Sequence, residues 1–208
     1  VQWLKESGEY AQKILNKLKE LDLYDNSIIV IYSDHGCSVG DRLGEKVYGV
    51  YLYDYTIKCF AYIIAKDLPK NLEIRNIART IDLMPTILDI LKIPIKQGKY
   101  KPVQGNSLLP IIYGKEKDER IAYSETGGLG GPTPSPEIHN MQSVRNNKWK
   151  LIHNKTNKKA ELYNLEEDPE ESNNLAGKGL EIEKKLWNEM HKIDEGHARI
   201  IGKFSQSN

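Results

Sequence analysis

The sequence predicts an α/β fold: a sheet covered by helices on both faces, followed by a small antiparallel sheet with a helix of its own. Three observations predict it. An amphipathic segment leads by a short turn into the apolar run Ile28-Ile29-Val30-Ile31-Tyr32, which does not alternate and so is expected to be buried on both faces. A second apolar run, residues 60–65, follows a loop rich in Gly and Tyr and reads as another core strand, parallel to the first in one sheet. Beyond residue 115 the texture changes to short strand patterns joined by polar turns, which is an antiparallel meander.

The elements follow in order. Trp3, Leu4, Ala11, Ile14, Leu15 and Leu18 recur at largely helical spacing among Lys and Glu, and this helix ends near Asp25-Asn26. Pro85, tolerated in a first turn, opens a helix whose apolar face is expected to be Met84, Ile87, Leu88 and Leu91. A short helix is expected near residues 107–112 and a strand at 121–124, and Gly127-Gly128-Leu129-Gly130-Gly131-Pro132 is loop. Strands are expected at 141–144, 149–153 and 161–165, the last two flanking Asn154-Lys155-Thr156-Asn157. The acidic run 166–171, with Pro169, reads as a solvated turn, and Leu180, Ile182, Leu186 and Met190 form an imperfect face on a final helix.

Thirty basic and twenty-nine acidic residues among 208 give a formal charge of +1, so the composition carries no electrostatic footprint for nucleic acid or an anionic membrane. No apolar stretch approaches the roughly 18 residues of a membrane span, and no secretory leader pattern opens the chain. That silence leaves the compartment open, with a cytoplasmic placement the one favoured. Because the chain begins with Val, it reads as a piece of a longer protein. Cys37 and Cys59 make neither a disulfide framework nor a zinc knuckle, and Cys37 reads as a small hydrophobe rather than a soft ligand.

The most informative tripeptide is Asp34-His35-Gly36, directly after the first apolar run. It sets a carboxylate beside an imidazole at a strand's carboxyl end, where open α/β sheets gather ligands. Alone, it equally describes a strand ending in an ordinary turn.

Further blocks follow: Val39-Gly40-Asp41, Tyr53-Asp54-Tyr55-Thr56-Ile57-Lys58, Ile81-Asp82-Leu83-Met84-Pro85-Thr86-Ile87-Leu88-Asp89, Gln104-Gly105-Asn106-Ser107-Leu108-Leu109-Pro110, and Glu161-Leu162-Tyr163-Asn164-Leu165 with Asp168-Pro169-Glu170. In this order and at these intervals they resemble the carboxyl-terminal half of the sulfatase family, within the alkaline-phosphatase superfamily, from about residue 10 to about residue 177. The resemblance implies a three-layer sulfatase-like α/β core over residues 1–115 and an antiparallel subdomain over residues 116–208.

It also implies chemistry. Family members cleave an ester with a metal-coordinated nucleophile, a formylglycine made from Cys or Ser, or in sister families a Ser or Thr. By resemblance, Asp34 and His35 are metal ligands. Imidazole suits zinc or manganese better than calcium, so the one divalent ion implied is manganese or zinc, with calcium possible. Family members place a Lys or His in the following loop to bind the anion and protonate the leaving oxygen. Lys46 is the first choice for that role, Tyr48 stands at the His position in one alignment, and Arg42 is third. His139 is a further catalytic candidate, whereas His153, His191 and His197 are expected to decorate strands and helices, and the spacing of the last two does not make a metal pair.

The formylglycine signature and the paired acidic ligands of the amino-terminal half are absent, since Cys37 is followed by Ser-Val-Gly and Cys59 by Phe-Ala-Tyr. The expectation is part of a sulfuric ester hydrolase, inactive by itself, whose substrate is a small-molecule or glycan sulfate or phosphate ester. A phosphodiester or phosphonate hydrolase, a phosphoglycerol-type transferase, or a non-catalytic binding module on the same fold remain alternatives.

Overall fold

The computed structural model describes residues 2–40, 48–95, 103–127 and 140–205. In chain order the elements are α1 (Gln2–Glu20), β1 (Ile29–Tyr32), α2 (Asp54–Ile57), β2 (Ala61–Ile64), α3 (Leu83–Ile90), α4 (Leu109–Ile112), β3 (Ala122–Thr126), β4 (Met141–Arg145), β5 (Trp149–Asn154), β6 (Lys159–Asn164) and α5 (Glu181–Ser205). Two compact units result, Val1–Ser33 with Phe60–Glu73, and Asp34–Cys59 with Ile74–Asn208. No described helix is long and apolar enough to cross a membrane.

In the first unit, α1 turns Ala11, Leu15 and Leu18 partly inward, one stripe at helical spacing, while Ile14 stays exposed. The helix ends with Asp22 at φ 53 and a bond from the Leu23 amide to the Leu18 carbonyl, a left-handed closure that satisfies the last carbonyls. β1 and β2 form a two-stranded sheet, but antiparallel, with Ile29 opposite Ile64 and Tyr32 opposite Ala61. This corrects the parallel, fully buried pairing expected from the sequence. A parallel pair needs a long crossover, usually helical. Between these strands the described residues hold only the four-residue α2. An apolar run reports burial tendency, not strand direction, and neither strand contains a fully buried residue.

The second unit is built on the antiparallel sheet β3-β4-β5-β6, as the meander predicts. Strand alternation sorts its residues onto two faces. Val144, Leu151 and Leu162 stand opposite one another and pack under Leu186 and Met190 of α5, the two residues of the expected helical face that are fully buried. On the other face Met141, Ile152 and Tyr163 pack against Leu52 and Tyr53, the segment that leads into α2. The segment around α2 is therefore mounted on the sheet's second face.

α3 departs from expectation. Met84 and Leu91 are exposed, whereas Pro85, Thr86 and the preceding Asp82 are buried. Polar satisfaction chooses that face: Thr86 donates to the Asp82 carbonyl and accepts from the Leu108 amide. The Asp82 carboxylate accepts from Arg79, Arg120 and the Asn106 amide. Gly105, at φ 87, lies so close to the Ile81 carbonyl that a side chain there would collide with it.

Burial pushes the Asp82 carboxyl up, but the Arg79 and Asn106 bonds outweigh it and hold the group below its usual value of 3.8. A depressed carboxylate contributes stability that is present above its unfolded value and is lost as pH falls through the folded one. Denaturation midpoints measured from about pH 6 to about pH 2 should therefore fall below pH 3.8, and fall less steeply in Asp82→Asn. Equal slopes would contradict the assignment.

Candidate functional site

Asp34 and His35 open a turn whose shape is set by its own backbone. The His35 amide donates to Asp34 Oδ1 at 3.0 Å, and His35 Nδ1 lies 2.6 Å from the Gly36 carbonyl. A carbonyl only accepts, so Nδ1 carries a proton, and Nε2 is the ring nitrogen left to face the carboxylate. Nε2 lies 3.6 Å from Asp34 Oδ2, in a carboxylate that is 82% exposed. The Tyr48 ring stacks on the imidazole at 3.9 Å between centroids. Sequence reasoning placed Asp34, His35 and Tyr48 in one site, and the turn brings His35 into contact with both.

Arg42, Lys46 and His139 lie outside the described residues, as does most of the Gly-rich loop. Cys37 is exposed, and the Cys59 thiol donates to the Asp34 carbonyl at 3.4 Å. Among the described residues, no three His, Cys, Asp or Glu side chains converge as a metal site would require. The donor pair nonetheless fits a divalent ion. It has a hard carboxylate oxygen, an imidazole nitrogen beside it, and a second imidazole nitrogen tied to a carbonyl as ligand histidines commonly are.

The turn is clamped to residues 53–57. The Gly36 amide donates to the Thr56 carbonyl at 2.8 Å, and a Cβ at Gly36 would run into the Tyr55 carbonyl. Thr56 in turn donates to the carbonyls of Tyr51 and Tyr53.

Below it lies an ion cluster that the sequence reading missed. Arg145 and Lys150 are directly opposite on β4 and β5, and like charges so placed repel. Asp54 resolves the conflict, taking Arg145 Nη1 at 2.6 and 2.8 Å and Lys150 Nζ at 2.9 Å. Glu171 completes it, 2.8 Å from Lys150 Nζ and accepting the Asp54 amide at 2.6 Å. The acidic run 166–171 is thus a solvated turn only in part, because Glu171 is 1% exposed. Burial pushes Asp54 up, but the charges of Lys150 and Arg145 hold it below its ordinary range; for Glu171 burial prevails and its carboxyl lies above its own. The available signal was parity: Lys150 shares a strand face with the core residue Ile152.

Comparison with known proteins agrees with this architecture. The family model "N-sulphoglucosamine sulphohydrolase, C-terminal" matches residues 50–196, and the model "Sulfatase" matches residues 4–93. The chain belongs to the sulfatase family. It is 28% identical to Arylsulfatase K of Homo sapiens over 196 residues, 90% of this chain and 35% of that protein. It is 27% identical to an extracellular sulfatase SULF-1 homolog of Drosophila melanogaster over 110 residues, 53% of this chain and 9% of that one. The chain thus spans about a third of the length of the arylsulfatase K relatives.

Among solved structures, a protein in complex with its substrate D-glucosamine-2-N,6-O-disulfate superimposes with a TM-score of 0.75 at 24% identity, over 90% of this chain and 38% of that one. A 2-O GAG sulfatase gives 0.70 at 24% over 90% and 40%, and a phosphonate monoester hydrolase from Silicibacter pomeroyi gives 0.68 at 25% over 90% and 38%. The fold is that of sulfatases, of alkaline-phosphatase type.

Proposed function

We propose that this chain is the carboxyl-terminal portion of a metal-dependent sulfuric ester hydrolase, and that Asp34 and His35 are two of its metal ligands. The observation that carries the reading is the pairing of Asp34 and His35 in one turn, with His35 Nδ1 on the Gly36 carbonyl and Nε2 3.6 Å from Asp34 Oδ2, in a chain of the sulfatase family. In this reading residues 1–115 are the later half of the α/β core and residues 116–208 the antiparallel subdomain that supports it.

A bound divalent ion would polarise the ester and offset charge that develops in the transition state. The chain's own residues do the rest. Asp34 and His35 would hold the ion, with manganese or zinc preferred over calcium because one donor is imidazole. Tyr48 keeps the imidazole plane in place by stacking. Lys46, with Tyr48 and then Arg42 as the alternatives, would bind the anionic group and protonate the leaving oxygen, and His139, two residues before β4 in the sequence, would assist. The nucleophile and the remaining ligands would come from residues outside these 208. Sulfated amino sugars are the favoured substrate class, since the relatives and solved structures of this family include a glucosamine disulfate complex and a GAG sulfatase. Hydrolysis of a phosphonate or phosphate ester is the second reading, favoured by the likeness to a phosphonate monoester hydrolase and by His35 itself.

The test is an assay of the 208-residue chain and of the complete enzyme against an aryl sulfate, a sulfated glucosamine and an aryl phosphonate, in manganese, zinc or calcium. The expected result is metal-dependent sulfate release by the complete enzyme and none by the chain alone. Phosphonate turnover in preference to sulfate would install the second reading, and no turnover of any ester would remove both.

A further inference from the structure

We propose that Asp54 is a positioning residue, which fixes the backbone of residues 53–57 and through it the Asp34-His35-Gly36 turn. The significance of that turn rests on the metal-ligand reading above, but the mechanical link does not. Asp54 does not touch Asp34 or His35 in any described bond; it acts through the chain.

The link has three steps. Asp54 is held on both sides, its carboxylate by Arg145 and Lys150 and its amide by Glu171. Lys150 is wholly buried and also meets Glu171 at 2.8 Å, so Asp54, Lys150 and Glu171 close a ring. A closed ring of buried charges has few alternative arrangements, because moving one member leaves another desolvated without its counterion. Asp54 is the first residue of α2, and Thr56, two residues on, receives the Gly36 amide. Because Gly36 lies against the Tyr55 and Thr56 backbone with no room for a side chain, a shift of residues 54–56 must displace the turn as well. Mounting a ligand turn on the rigid sheet instead of on its own loop is what a preorganised site needs.

The experiment is amide hydrogen exchange on the 208-residue chain, with no metal or substrate, comparing the parent with Asp54→Asn. The Gly36 amide should exchange at least about tenfold faster, while the amides of Val144, Leu151 and Leu162 in the sheet keep their parent rates. The Cys59 thiol, which donates to the Asp34 carbonyl, should react faster with a disulfide reagent in the same variant. Should Asp54→Asn fail to fold, Arg145→Met, which leaves Lys150 on Asp54, is read in the same way. An unchanged Gly36 rate in a folded variant overturns the proposal. So does a rise shared equally by Gly36 and the sheet, or failure of both variants to fold, since either makes the cluster a determinant of the whole fold. Because this measurement needs no catalysis, its failure is separable from a failure of the metal-ligand reading.

Discussion

Replacing Asp34 with Ala in the complete enzyme is expected to lower metal-dependent ester hydrolysis by about a thousandfold and to leave the fold intact. The size follows from the several kcal/mol of transition-state charge stabilisation that a bound ion supplies, at about 1.4 kcal/mol per factor of ten. Intact folding follows from exposure: the carboxylate is 82% exposed, and it accepts a hydrogen bond from the adjacent His35 amide. Metal content by elemental analysis should fall with turnover while the circular dichroism melt stays within a few degrees of the parent. Unchanged metal content and turnover would remove Asp34 from the site.

Replacing Lys150 with Met is expected to destabilise the 208-residue chain by about 3 kcal/mol, since removing one partner of a buried ion pair leaves the other desolvated. For a chain of this length that lowers Tm by roughly 6–12 °C. Met fills a similar volume, so the loss reports charge and not a cavity. Arg145 still neutralises Asp54 in that variant, so the uncompensated group is Glu171, buried to 1% exposure. Glu171 then stays protonated to a higher pH, and the variant's deficit should grow as pH rises through the range in which Glu171 ionises. A urea unfolding free energy within about 0.5 kcal/mol of the parent would show that the cluster contributes nothing net.

The comparison of sequence with structure turns on range. The β3-β4-β5-β6 meander, the final helix with Leu186 and Met190, and the adjacency of Asp34 and His35 were legible because each is written in residues a few positions apart. The Met84 and Leu91 face of α3 was misjudged for the opposite reason. Apolar periodicity alone turns those side chains inward, but Asp82 and Thr86 are paired across 22 to 38 residues with Leu108, Asn106 and Arg120, and that pairing takes the inward face.

The sequence by itself determined the family, the adjacency of Asp34 and His35, and the parity that sends alternate strand residues to opposite faces. Tertiary structure alone decided that β1 and β2 run antiparallel, that Glu171 is buried, and that Asp54 meets Arg145, Lys150 and Glu171 across 91, 96 and 117 positions. Periodicity records how a residue relates to neighbours within a turn or a pleat. Which distant charge will neutralise it depends on how the chain closes on itself, because a buried Lys is tolerable only where folding delivers its counterions.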